Sequence, residues 1–443
     1  MTVKAIAPAV EEPTPHGIAA AVARLISSGD LAPGDRLPTV RELATELGVS
    51  PATVSHAWQA LSGVGLIISR GRSGSFVRAV PRKWLPPRYQ GLASQLEATR
   101  LDLSTGTPDP ELLPGLGSAF SRASMRAGTA SYLEQPVIPE LEQVLRDTWP
   151  YQVECITVVD GALDALSRAM ELVVRFGDRV VVEDPGFPPI FDLLEHFGAV
   201  RVPVGVDDEG MRPDLLEEAL TLRPTAIVLQ PRAQNPTGRS LSPDRARELA
   251  QVIRKSRHAS DAIVLEDDHS GAISSVQDVS LGSWLPGQVL HIRSFSKSHG
   301  PDLRIAGIGG PTELVDRIVS RRILGPGWTS RMLQTMLFDL LTDPEAIAEV
   351  DFARDSYRAR QQRLSTALAG HGVQLPPGDG INTWLPVNDE RAAIVQLAAS
   401  GIRVAAGTPF QAVGSGAFVR VTAGAVRDDF DSVAGNLAAA SRA

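Results

Sequence analysis

Hydrophobic and polar positions along the chain fall into two regimes. The first is short and helical in period. Ile18, Val22, Leu25 and Ile26 share one face of a first helix, which Gly29-Asp30 and Pro33-Gly34 close. Val40, Leu43, Ala44 and Leu47 mark a second helix behind Pro38, and Gly48 supplies the reversal into a third. Ser50 is placed to cap that third helix and Pro51 to open it, because the hydroxyl satisfies an orphan amide and proline has no amide to satisfy. The spacing predicts this helix from Pro51 to Leu61. Leu66-Ile67-Ile68-Ser69 and Ser75-Phe76-Val77 then read as two strands joined by Arg70-Gly71-Arg72-Ser73-Gly74.

The second regime begins at Leu101. Short apolar runs at Ile156 to Val159, Arg179 to Val182, Ala226 to Leu229 and Ala262 to Leu265 alternate with amphipathic helical stretches. This is α/β patterning with buried, mostly parallel strands in a central sheet. The expected organisation is a mainly α domain with a β wing over 12–78, a connector over 79–100 and an α/β domain over 101–443. Within the last, a large subdomain covers about 140–310 and a smaller α/β subdomain about 320–443. Pro81, Pro86 and Pro87 argue against regular structure in the connector, and Arg82, Lys83, Arg88 and Gln90 are expected in solvent.

At 443 residues the chain fits two or three domains. The single cysteine, Cys155, excludes an internal disulfide framework, and no Cys/His cluster has metal-ligand spacing, so no metal is expected. Met1 to Pro15 holds no apolar signal core, and no later run approaches the roughly 18 residues of a membrane span. A cytoplasmic location is expected. The net charge of −8 argues against a general nucleic-acid coat, but the charge is unevenly placed. No acidic residue stands between Glu46 and Glu97, an interval with Arg70, Arg72, Arg78, Arg82, Lys83 and Arg88, which suits phosphate contacts.

Residues Gly34 to Val77, with the run Leu37-Pro38-Thr39-Val40-Arg41-Glu42-Leu43-Ala44, resemble a winged helix-turn-helix of the GntR type. The resemblance implies that the third helix reads a major groove and that the segment 70–74 is the wing. Its implied DNA contacts are Arg41, Ser50, Thr53, Ser55, Arg70 and Arg72. Pro51 stands where many such domains carry a basic or bulky polar residue, which shrinks the base-reading set.

Ser294-Phe295-Ser296-Lys297, followed seven residues after its lysine by Arg304, resembles the cofactor-lysine segment of fold-type I pyridoxal-phosphate (PLP) enzymes. By that resemblance Lys297 forms a Schiff base with PLP, Asp267 keeps the pyridine nitrogen protonated, Asn235 bonds the phenolic oxygen and Arg304 grips the phosphate. Gly161 and Ala162 open a helix whose amides face the phosphate, and Ser294 and Ser296 add hydroxyls. Phe187 stacks on the ring, Tyr132 reaches the cofactor of a neighbouring subunit, and Arg420 binds the α-carboxylate of an amino acid.

A GntR-type reader ahead of an aminotransferase domain is identified as a member of the MocR subfamily of bacterial regulators. Membership implies a PLP-binding homodimer that binds a double-stranded DNA operator and responds to PLP or an amino-acid-like effector. The alternative is a working aminotransferase, since Lys297, Asp267, Asn235, Arg304 and Arg420 together support a first half-reaction. A metabolic enzyme has no need of a DNA reader. A third possibility is a domain that has kept the fold and lost PLP. Two departures matter. Asp267-Asp268-His269 places an imidazole where the subfamily commonly has tyrosine, so His269 is expected to donate to the cofactor oxygen and to titrate near neutrality, making the colour of the Schiff base depend on pH. Pro188-Pro189 takes the place of a basic side chain, which disfavours a dicarboxylate effector relative to a monocarboxylate or PLP itself.

Overall fold

The computed structural model describes residues 6–63, 66–69, 74–77, 86–88, 100–126, 128, 132–414 and 416–443. They divide into two units, Met1–Leu85 and Pro86–Ala443. In the first, α1 (Pro15–Ser28) starts where the Thr14 side chain accepts from the Gly17 amide and ends at Gly29, which adopts the left-handed conformation at φ 86. Helix α2 (Val40–Leu47) is held by a capping box: Thr39 Oγ1 accepts from the Glu42 amide at 3.3 Å and Glu42 returns to the Thr39 amide at 2.8 Å. Helix α3 (Pro51–Gly63) begins at the predicted proline, with Ser50 Oγ accepting from the Thr53 amide at 3.2 Å. Strands β1 (Ile67–Ser69) and β2 (Ser75–Val77) pair antiparallel with Ile67 opposite Val77. Ile18, Val22, Leu43, Val54, Trp58, Leu61, Ile67 and Val77 form the shared core, so each element buries the face its periodicity marked. Truncating Leu43 there costs about 2–5 kcal/mol. Arg70 and Arg72 lie outside the described residues.

The second unit opens with β3 (Leu101–Leu103) and continues through β4 (Cys155–Val159), β5 (Arg179–Asp184), β6 (Val200–Asp207), β7 (Gly210–Met211), β8 (Ala226–Leu229), β9 (Ile263–Asp268), β10 (Val289–Ser294), β11 (Ala306–Gly310), β12 (Thr383–Val387), β13 (Ile402–Ala406) and β14 (Ala417–Val421). One sheet runs β4-β11-β10-β9-β8-β5-β6-β7. Strands β10, β9, β8, β5 and β6 run parallel in it, while β11 is antiparallel to both β10 and β4. Val181, Ile227 and Val264 face one apolar cluster, and Val180, Val182, Val228 and Leu265 face another. Helices cover both faces, hence the unbroken apolar runs. The strands extend past those runs into polar ends at Glu183, Asp184, Asp267, Asp268 and Ser294. Ligands of open parallel sheets sit at such carboxyl ends.

A second sheet, β12-β14-β13-β3, differs from the expected boundaries. Strand β3 pairs parallel with β13, Leu101 opposite Ile402, so the smaller subdomain recruits the first strand after the connector. No local signal announces a pairing across some 300 residues of chain. Arg88 is likewise corrected. It is not a solvated connector residue, because its guanidinium bonds Asp192 at 2.7 Å and Glu195 at 2.5 Å, and Pro87 and Arg88 are helical. Among the described residues no helix is long and apolar enough to cross a membrane.

Candidate functional site

In the smaller unit, Arg41, Ser50, Ala52 and His56 are exposed, while Thr53 and Ser55 are half-buried. The Ser50 and Thr53 hydroxyls lie 2.8 Å apart, so each satisfies the other at the start of α3. A phosphate or base edge meeting this turn finds hydroxyls already oriented by the cap.

The larger unit gathers its candidates at the carboxyl ends of the strands. Asp267, in β9, is buried and accepts from Gln230 Nε2 at 2.8 Å through Oδ2, while Oδ1 is buried with no partner. Burial pushes this carboxyl up to about 6, against the pull of the Gln230 bond. A buried acceptor without a donor fits a pyridinium N–H. Gln230 also accepts from the Asn235 amide at 2.8 Å through Oε1. Glu183, pushed up to about 8 by burial, accepts from the Gln230 amide at 3.0 Å and from Gln234 Nε2 at 3.4 Å. Gln234 Nε2 also donates to the Pro185 carbonyl at 2.7 Å. Sequence reasoning missed Glu183, Gln230 and Gln234. Their signal was a polar residue directly following the apolar runs of β5 and β8, in Val182-Glu183 and Leu229-Gln230.

Three cations face this acidic floor or flank it. Lys297 Nζ donates to the Gly106 carbonyl at 2.5 Å, and burial, then the nearby Arg420, lower its pKa to about 8. Arg420, in β14, is 2 % exposed. Its Nη2 donates to the Ser104 carbonyl, its Nη1 reaches Asn235 Oδ1 at 3.4 Å, and its Nε is buried with no partner. The guanidinium packs 5.1 Å from the Phe410 ring, and burial lowers its pKa to about 10. Among the described residues no carboxylate bonds it, although a buried guanidinium is costly without one. Gly106 lets it in: at φ 61, a Cβ there would lie 2.8 Å from Arg420 Nη1.

The third cation, Arg304, has its backbone at φ 51 and donates through Nη2 to the Asp160 carbonyl at 3.2 Å. It lies across Gly161, where a Cβ would come within 2.9 Å of Nη2, at the mouth of α4 (Ala162–Val173). A guanidinium beside free helix amides is a cradle for an anion such as phosphate. Ala162 is the first residue of that helix. Ser294 is buried with its Oγ accepting from the Ser296 amide at 3.3 Å, and Ser296 is half-buried. Phe187 is half-buried at the start of the helix Pro188–His196. Tyr132 is 89 % exposed, its ring 5.9 Å from Trp328.

His269 departs from expectation. Its Nε2 lies 2.9 Å from the Ala233 carbonyl, and a carbonyl only accepts, so the proton sits on Nε2 and Nδ1 is left as an acceptor. Burial, then Lys297, pushes the ring down to about 4. It therefore stays neutral through the range in which it was expected to titrate, and its one proton is committed to the backbone. Behind the site Arg232 pairs with Asp268 at 2.5 Å, and Arg293 with Asp278 at 3.0 Å. Asp268, Asp278 and His291 place ligand atoms within 4.8 Å of one another, and the two guanidiniums supply there the positive charge that a metal would.

Comparison with known proteins extends this picture. Residues 98–434 match the family Aminotransferase class I and II, and residues 15–77 match the bacterial regulatory proteins of the gntR family. The chain is 36% identical over 424 residues to the vitamin B6 salvage pathway transcriptional repressor PtsJ of Salmonella typhimurium, covering 95% of this chain and 96% of that protein. It is 28% identical to the pyridoxine biosynthesis transcriptional regulator PdxR of Corynebacterium glutamicum, covering 89% and 88%. It is also 28% identical to the transcriptional regulator TauR of Rhodobacter capsulatus, covering 91% of each chain. Among solved structures, the α-aminoadipate aminotransferase LysN of Thermus thermophilus matches 81% of this chain and 98% of its own at a TM-score of 0.69 and 21% identity. A multiple substrate aminotransferase of Thermococcus profundus matches 82% and 95% at 0.71 and 19%.

Proposed function

The chain belongs to the aminotransferase class I and II family, with a gntR-family regulatory domain fused ahead of it, and from that premise we propose that it is a PLP-responsive regulator of the MocR type that controls transcription in the cytoplasm. The observation that carries the reading is the buried Oδ1 of Asp267, without a partner among the described residues, within electrostatic reach of a lysine whose amine donates to the Gly106 carbonyl. Two relatives bear names that concern vitamin B6, which favours PLP itself as the signal.

When bound, PLP supplies an aldehyde for an amine and a ring that draws electrons. Lys297, held near 8, is partly neutral at physiological pH and presents a nucleophilic amine. Asp267 Oδ1 would accept the ring N–H, and Gln230 fixes that carboxylate and the Asn235 turn together. Asn235, with Oδ1 turned to Arg420, has its Nδ2 for the phenolic oxygen. Arg304, the α4 amides, Ser294 and Ser296 would hold the phosphate, and Phe187 would cover the ring. Arg420 takes the carboxylate of a monocarboxylic amino-acid-like ligand. In a homodimer, Tyr132 extends toward the other subunit's site. Arg41, Ser50, Thr53 and Ser55, with Arg70 and Arg72, contact double-stranded operator DNA.

The regulator reading fits better than a metabolic aminotransferase, because near-full-length relatives are regulators and the likeness to aminotransferase structures is one of fold. Fluorescence anisotropy on DNA from upstream of the chain's own gene, beside a turnover assay with amino and keto acids, tests the choice. Tight, sequence-dependent binding without steady turnover is expected. Binding no better than to random DNA, together with turnover lost in Lys297→Ala, would reverse the assignment.

A further inference from the structure

Both cations that face a ligand's reacting end are bonded to one short stretch of backbone. Lys297 Nζ donates to the Gly106 carbonyl at 2.5 Å, and Arg420 Nη2 donates to the Ser104 carbonyl. The stretch is built to make these contacts. Gly106 takes φ 61 and has no Cβ, which would otherwise press on the Arg420 guanidinium. Its amide donates to Thr422 Oγ1 at 2.9 Å, and the Thr422 amide donates to the Leu103 carbonyl at 2.7 Å. Ser104 is pinned in turn by its amide and hydroxyl, which donate to Asp102 Oδ1 at 2.9 and 2.6 Å. Immediately before it lies β3, the edge strand of the smaller sheet and the first strand after the connector.

We propose that Ser104–Gly106 is an internal stand-in for the ligand, occupying the lysine and the guanidinium with its own carbonyls, and that its release by a bound carboxylate passes site occupancy to β3. This rests on the reading of the larger unit as a ligand sensor. A carboxylate is the stronger partner for a guanidinium, since charge-assisted hydrogen bonds are about twice as strong as those to a neutral carbonyl. A carboxylate that grips the Nε–Nη2 edge of Arg420 competes with the Ser104 carbonyl for Nη2 and can leave that carbonyl buried without its donor. Buried carbonyls without donors are unfavourable, so the stretch moves. Strand β3, three residues long and the edge strand of the smaller sheet, pairs with β13 alone among the strands and continues directly into the stretch that moves.

The test is hydrogen–deuterium exchange on the full chain saturated with N-(5′-phosphopyridoxyl)-L-alanine or with N-(5′-phosphopyridoxyl)ethylamine, which differ only in the carboxylate. The alanine adduct is expected to speed exchange at Ser104, Gly106 and Thr422 about tenfold relative to the ethylamine adduct. Equal exchange with both adducts bound overturns the inference and leaves the sensor reading intact. Failure of either adduct to bind overturns the sensor reading and the inference with it. Gly106→Ala is expected to give fast exchange without any ligand and no further change with the alanine adduct. Thr422→Val, which removes only the anchor on the Gly106 amide, is a milder variant. It should raise basal exchange and tighten the alanine adduct severalfold, and an unchanged affinity with raised exchange would count against a competing strap.

Discussion

Arg232 and Arg420 are both buried in the larger unit, yet they keep different company. Arg232 meets Asp268 at 2.5 Å and Asp278 at 3.5 Å, and its pKa is raised because these carboxylates outweigh its burial. Arg420 meets one backbone carbonyl, that of Ser104, and the Asn235 side-chain oxygen, its Nε has no partner among the described residues, and burial lowers its pKa. The first cation is finished within the chain and is structural. The second lacks its carboxylate, which a ligand can bring. The same contrast separates Asp267 from Asp268 in β9, since Asp268 is held low by Arg232 against its burial while Asp267 is raised with an open oxygen.

The largest effect should come from breaking the finished pair. Arg232→Met leaves Asp268 buried without its ion-pair partner and is expected to destabilise the larger unit by about 3–5 kcal/mol in urea unfolding. A loss below 1 kcal/mol, or an equal loss in Arg420→Met, would erase the distinction. Arg420→Met should instead keep the fold and weaken N-(5′-phosphopyridoxyl)-L-alanine by about 1.5–3 kcal/mol, which is about 10–150-fold in Kd, with little effect on the ethylamine adduct. Asp267→Asn should weaken PLP about tenfold by absorbance titration, because a neutral amide does not hold a pyridinium. An unchanged Kd would show that the open oxygen is not the ring's partner.

A smaller effect follows from Glu183. Its carboxyl, raised from 4.5 to about 8, stays protonated in the fold while the unfolded chain ionises it. The folded state therefore binds more protons between those values, and its stability falls as pH rises through that window. Glu183→Gln should abolish this part of the slope, flattening the fall in stability between pH 5 and pH 8. A parallel pH profile in the variant would contradict it. Smallest of all, Ser50→Ala should cost the smaller unit about 1 kcal/mol through loss of the α3 cap, read as a lower urea midpoint for that unit.

What the sequence made legible was local. The caps at Ser50 and Pro51, the apolar strand runs and the ordered series of Asn235, Asp267, Lys297, Arg304 and Arg420 are each written in a few adjacent residues, and the fold brings most of that series to the sheet's carboxyl ends. What stayed hidden is pairing between distant segments. Ser104 and Arg420 are 316 residues apart, and Gly106 and Lys297 are 191 apart, so nothing near either partner marks the contact. Strand β3 escaped for the same reason. His269 was misread differently: its residue type suggested titration near neutrality, but the Ala233 carbonyl and burial, both tertiary, decide its proton.

The central claim is that occupancy of the Lys297 site alters DNA binding. The most direct measurement is the affinity of the full chain and of Lys297→Ala for DNA upstream of its own gene, at fixed salt, with and without PLP. The account predicts that PLP shifts the wild-type affinity by about 5–150-fold and leaves Lys297→Ala unmoved. No shift in the wild type, or the same shift in both proteins, would contradict it.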